Sequence, residues 1–398
     1  MSDSENGEDI RNVYALGFVS FFTDVSTEMV LSLLPVFILG LPGSNRAFLG
    51  LIEGTAEAIS YALRAVSGFF SDKFRKRKII VLAGYALSTM VKPLFGVART
   101  ALDAFVIRVS DRVGKGVRTA PRDALISESV SGDRRGAAFG LHRTLDQLGA
   151  ILGPVIASVS MVVLGFTARN IFWLSFIPGA IALLILLFFV QERVGEADGE
   201  FLFLKGLKDV LTGRFSLLLL IVGIFSFGAF NFSFILLNAQ EHGVGDSLIP
   251  IVYAVVNVAH TAVAIPAGVL SDRIGKEKVL IMGYGVFAAT NLLILISPRT
   301  IAAAYLIALI FGLYMGIVET IQRALVPGYA ESRLRGTAYG IYYLVVGTAF
   351  FLANAVVGTL WEIYGSSAAS LYCMCSAIIS IFAMFLFLRT TKNKDILA

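Results

Sequence analysis

Residues 68–78 read GFFSDKFRKRK, and residues 268–278 read GVLSDRIGKEK. Gly68, Ser71, Asp72, Lys76 and Lys78 thus return 200 positions later as Gly268, Ser271, Asp272, Lys276 and Lys278. The same offset carries Gly116, Ala124, Leu125, Arg135, Gly136, Ala138 and Gly140 onto Gly316, Ala324, Leu325, Arg335, Gly336, Ala338 and Gly340. Twelve identities at one constant offset, without a gap, mean two halves with one architecture. In an apolar chain that points to a membrane protein with its site between the halves.

The chain is that apolar: of 398 residues 57% are hydrophobic and 15% charged, against about 25% charged in a soluble domain. Stretches long enough to cross about 30 Å of hydrocarbon fall near 13–40, 47–70, 79–98, 102–126, 136–162 and 170–190. A second set falls near 215–239, 247–270, 279–297, 301–326, 336–361 and 367–388. The reading is an all-α membrane protein of twelve transmembrane helices. It divides into an N-terminal six-helix bundle (1–190), a linker (191–214) and a C-terminal six-helix bundle (215–398). The acidic first residues lack the basic start of a secretory signal, so the first apolar run is expected to stay as a span.

Lys and Arg orient the spans. With the N-terminus inside, the inner segments hold twenty basic residues and the outer loops four: Arg46, Arg99, Arg169 and Arg299. Both termini are therefore expected on the cytoplasmic side of the cell membrane. Six spans per half is an even number, which makes the halves parallel repeats about an axis along the membrane normal. The net charge of +5 sits mostly in these inner loops, so no nucleic-acid partner is expected. Cys373 and Cys375 lie inside the last apolar run and read as packing residues. Three histidines are too few and too scattered for a usual metal site.

Twelve spans in two parallel halves, with a repeated G-x-x-x-D loop between spans 2 and 3, resemble the major facilitator superfamily. Gly268, Asp272, Arg273, Gly275, Lys276 and Lys278 fit the family's loop pattern throughout. The first copy keeps Gly68, Asp72, Lys73, Lys76 and Lys78 but has Arg75 where glycine stands in the pattern. Span 5 carries Gly140, Gly149, Gly153 and Pro154, which looks like the glycine–proline motif of proton-coupled antiporters; Ala157 and Ser158 replace its closing glycines. Arg112 followed by Gly116 resembles the arginine–glycine element linked with proton coupling, with Lys115 where glutamine is common. The resemblance implies gating by the Asp72 and Asp272 loops. There a carboxylate can face the positive start of a helix in the other half, at Gly136 or Gly336.

Nine basic residues fall within spans: Arg64, Lys92, Arg108, Arg112, Lys115, Arg118, Arg122, Arg143 and Arg323. At about 2.5–3.5 kcal/mol each in lipid, the total would exceed the roughly 5–15 kcal/mol net stability of a domain. Lys92 and Arg122 sit near span ends and are expected to snorkel; the others need partners or a wet cavity. Span 4 carries five of the nine, with Asp111 among them, and span 5 adds His142, Arg143 and Asp146. The C-terminal half offers Glu319 and Arg323 with neutral Asn231, Asn257, His260 and Gln322. Against the bases stand Asp24 and Glu28 on span 1, and Glu53 and Glu57 on span 2, each pair four residues apart. Carboxylates crowded in a low dielectric exchange protons near neutral pH.

Asp24, Glu28, Glu57, Asp146 and Arg112 are therefore the proton-coupling candidates. Arg108, Lys115, Arg118, His142, Arg143, Asn231, Asn257, Glu319, Arg323 and Tyr343 are the substrate-cavity candidates. Phe18, Phe21, Phe22, Phe227, Phe230, Tyr339 and Tyr342 are dense on spans 1, 7 and 11 and suit either core packing or an amphipathic solute. No phosphate-binding glycine loop or zinc-protease pattern is present, so neither an enzyme nor an ATP-driven pump is expected. The expected function is alternating-access secondary transport by a monomer without cofactor or metal. The span 5 motif favours proton-driven export of a small organic solute. The basic span 4 favours an anion, for which uptake by symport or exchange is the alternative; a transporter-like receptor is a weaker one.

Overall fold

The computed structural model describes residues 9–74, 76–131, 134–193, 210–211, 213–330 and 334–395, apart from the side chains of residues 65, 68–74, 335 and 390–395. Among the described residues all regular structure is helical. Ten segments are long and apolar enough to cross a membrane: Ile10–Leu39, Arg77–Val97, Arg135–Leu164, Ala168–Phe189, Gly213–Glu241, Ile249–Ile274, Lys276–Ile296, Ile301–Tyr329, Gly336–Tyr364 and Ser366–Arg389. Arg46–Phe74 and Ala101–Glu128, at 29 and 28 residues, have the length to cross but carry more charge. In chain order these are spans 1 to 12, with the charged pair as spans 2 and 4.

The repeat extends to the helix starts. Thr100 caps span 4 by accepting from the Asp103 N–H, and Thr300 caps span 10 by accepting from the Ala303 N–H. At the start of span 9, Gly275 has φ +100°, which only glycine adopts without strain. That requirement explains the glycine of the second loop copy. Its counterpart Arg75, and the side chains of Asp72 and Lys73 with Gly68, lie outside the described residues, as does most of the 191–214 connection.

The chain forms two compact units. The first comprises the described residues of Met1–Ser44, Ile59–Gly199 and Asp246–Ala254. The second comprises those of Asn45–Ala58, Glu200–Gly245 and Val255–Ala398. The units exchange two segments, the start of span 2 and the start of span 8, and local contacts show why. In the second unit a Cβ on Gly54 would lie 2.8 Å from the Phe351 carbonyl, and one on Gly358 would lie 3.1 Å from Ala47 Cα. Arg46 pairs there with Glu241 at 3.0 Å and Glu362 at 3.7 Å. In the first unit Ser158 Oγ donates to the Ser247 carbonyl at 2.6 Å. Positions 358 and 47 thus repeat, 200 residues apart, the contact of 158 and 247. Ser158, a departure from the family's glycine, serves this junction.

Val13, Leu16, Val19, Val81, Tyr85, Leu125, Ile126, Ala182 and Leu186 form the apolar core of the first unit. The second unit has an aromatic core in which Phe225 stacks on Tyr284 at 3.8 Å and Phe230 on Phe311 at 5.5 Å. Phe230 is therefore a core residue.

The approach of span 5 to span 1 positions the polar site described below. A Cβ on Gly153 would stand 2.7 Å from the Val25 carbonyl and 3.1 Å from Glu28 Cβ; one on Gly149 would meet the Phe21 carbonyl and stand 3.2 Å from Asp24 Cβ. Gly140 has nothing within 4 Å of such an atom. Gly153→Val is expected to force the two helices apart and destabilise by about 1–3 kcal/mol. Gly140→Ala should be neutral or slightly stabilising. Unfolding of the two variants in detergent checks the contrast.

Candidate functional site

In the first unit, Gly149 and Gly153 remove the side chains that would hold span 5 away from span 1. Asp24 and Asp146 meet across the gap, carboxyl group against carboxyl group. Ser20 Oγ donates to Asp146 Oδ1 at 2.7 Å, and Arg143 holds Oδ2 at 3.2 Å. Arg143 is exposed while Asp146 is half-buried.

One turn further along span 1, Glu28 accepts a hydrogen bond from the Tyr253 hydroxyl at the start of span 8. Lys115 is an electrostatic neighbour of both Asp24 and Glu28. Asp24 is an electrostatic neighbour of Glu28 on its own helix, as their spacing led one to expect, and also of Asp146 on span 5.

The bases of span 4 are buried around one acid. Arg108, Arg112 and Asp111 are 0%, 2% and 3% exposed. Asp111 Oδ2 lies 3.5 Å from an Arg108 nitrogen and 3.8 Å from Arg112 Nε. Arg118 donates to Ser88 Oγ at 2.6 Å and lies over the Tyr85 ring at 4.3 Å. Lys92 does not snorkel: it is 1% exposed and donates to Thr27 Oγ1 at 3.0 Å. Its span ends in a tight Lys92–Val97 turn that keeps the ammonium against span 1. Arg122 is half-buried and pairs with Asp123 at 2.8 Å. His142 is 5% exposed, and its Nε2 has no hydrogen-bond partner.

The second unit holds the remaining candidates. Glu319 lies 3.4 Å from Arg323 and 3.8 Å from His260 Nε2. Tyr339 donates to the Arg323 carbonyl, Tyr342 to Gln322 Oε1 at 3.0 Å, and Tyr343 packs edge-on against Tyr342. Asn257 is buried, its carbonyl accepting from Thr261. Asn231 Oδ1 accepts from the Ser233 N–H at 2.9 Å and so caps the break in span 7. Glu57 is half-buried on the exchanged start of span 2. Asp272 and Arg273 are exposed.

Ser20, Tyr85 and Tyr253 were missed by the sequence reading. A single hydroxyl in an apolar run carries no signal until the neighbouring helix is placed.

The comparisons with known proteins agree with the architecture. Residues 16–353 and 216–397 match the profile of the Major Facilitator Superfamily. The chain belongs to that superfamily. An uncharacterized MFS-type transporter of Methanocaldococcus jannaschii is 36% identical over 387 residues, covering 95% of each chain. The multidrug resistance protein MdtG of Proteus mirabilis is 26% identical over 290 residues, 69% of this chain and 71% of its own. Among solved structures, a variant of the nucleoside transporter NupG superposes with a TM-score of 0.82 at 13% identity, covering 94% of this chain and 99% of that one. The human organic anion transporter MFSD10 superposes at 0.65 with 16% identity, covering 94% and 99%. These structural likenesses concern the fold. This protein is accordingly a multi-pass membrane transporter of small molecules, and not an enzyme.

Removing one partner of a buried charge cluster strands the others. Asp111→Asn is expected to cost roughly 3–5 kcal/mol, against under about 1 kcal/mol for Arg143→Gln at the exposed pair. Denaturation of the two variants in matched detergent measures the difference.

Proposed function

We propose that this transporter exports a small organic solute by exchange with protons, through alternating access of the 1–190 and 215–388 segments about the 191–214 connection. The observation that carries the reading is the Asp24–Asp146 carboxyl pair. A pair that keeps a proton between its two acids binds the coupling ion, and a solute that takes the pair's charge releases it. Glu28 stands one turn away to share that charge. The match to a protein named for multidrug resistance supports the outward direction. On this reading both termini face the cytoplasm, a single chain suffices, and the Asp72 and Asp272 loops gate the inner side.

A second reading rests on the buried bases Lys92, Arg108, Arg112 and Arg118. They favour an organic anion, with half-buried Lys115 between Arg112 and Arg118 on span 4. An anion held there makes protonation of Asp24 and Glu28 easier, so anion and proton would travel together as symport. The sign of the solute's charge therefore sets the sense of coupling.

Liposomes holding the purified chain separate the two readings. With an acid lumen, export by antiport accumulates a lipophilic cation dye, and Asp24→Asn or Asp146→Asn abolishes that accumulation. Accumulation of a labelled dicarboxylate from an acid exterior supports the second reading instead. Transport of either probe independent of the gradient, with both variants unaffected, contradicts proton coupling.

A further inference from the structure

We propose that His142 is the proton relay between the Asp24–Asp146 pair and the membrane face that carries the repeated basic loops. This rests on the proton-coupled reading of that pair, and moves His142 from substrate contact to proton path. His142 and Asp146 are four residues apart on span 5, so their Cβ atoms lie about 5–6 Å apart on one face. Span 5 starts at Arg135, which places His142 about 10 Å and Asp146 about 16 Å along the axis. The imidazole therefore lies between the carboxyl pair and the loop end of the bundle.

Its surroundings suit transfer rather than structure. His142 is 5% exposed with Nε2 unpartnered, and a buried polar atom left open in a native fold calls for a functional account. The charged groups facing it are Asp146 and Arg143 from its own helix, and Arg122 and Asp123 from span 4. The Asp123 side chain is 42% exposed and tied to Arg122 at 2.8 Å, while that of Asp146 is 17% exposed. A half-buried donor pair, a buried imidazole and a more exposed carboxylate thus follow one another toward water.

The step balances without a co-reactant. The O–H of the protonated pair breaks as an N–H forms on one ring nitrogen. The proton on the other ring nitrogen then passes to the Asp123 carboxylate or to water. The ring returns to neutrality with its tautomer exchanged, and ring rotation or a proton passing the opposite way restores it.

The test follows the carboxyl C=O infrared band of the full chain in lipid after a pH jump, with no solute added. Asp24→Asn identifies the band of the pair by removing it. His142→Gln is expected to leave the amplitude unchanged and to slow the band's appearance by roughly 10²-fold. Added imidazole should restore the rate in His142→Ala, which serves equally if the glutamine variant folds poorly. A band as fast in His142→Gln as in the parent, or no imidazole rescue, overturns the relay while leaving the carboxyl pair intact. No band sensitive to Asp24→Asn means the pair does not titrate. That outcome removes the proton-coupled reading itself, and the relay with it.

Discussion

Span 1 and span 5 approach backbone to backbone at Gly149 and Gly153, and the meeting of Asp24 with Asp146 depends on that closeness. A side chain at either position would collide with the Phe21 or Val25 carbonyl, and the two helices would separate by more than a hydrogen bond can bridge. Without the contact Asp24 and Asp146 are two isolated acids in apolar helices. With it their carboxyl groups are neighbours across the two helices. The glycine–proline motif therefore acts through what it brings together, and the carboxylates are part of its meaning.

The second constraint is charge. Lys92, Arg108, Arg112 and Arg118 are buried in the same unit, with Asp111 as the acid at their centre. Such an arrangement is a costly way to hold helices together, because each ion gives up its hydration. Asp24 and Glu28 are among its electrostatic neighbours, which makes it a counterweight to them. The acids of span 1 and the bases of span 4 are electrostatic neighbours.

Much of this was legible in the chain. The loop repeated at 68–78 and 268–278, with twelve apolar runs, specified the architecture, because length and periodicity survive any detail of packing. Charged residues inside spans marked the polar helices for the same reason: lipid tolerates few. The partners were less legible. Spacing along span 1 set Asp24 beside Glu28, but its second neighbour, Asp146, comes from another helix, and only the depth of the glycine contact reveals it. Lys92 looked like a residue at a span end, yet the turn after it folds the ammonium inward to Thr27. Tyr253 lies in an apolar run near the start of span 8, in a segment that joins the unit of spans 1 and 3–6 rather than that of its own half. No pattern in the sequence announces that exchange.

The account stands on a proton held between Asp24 and Asp146, and proton counting tests it most directly. Potentiometric titration of the purified chain and of its Asp24→Asn, Asp146→Asn double variant, in matched detergent, compares the protons each binds near neutral pH. The account predicts that the parent holds one more proton than the variant over that range and releases it only at higher pH. Superimposable titration curves would contradict it.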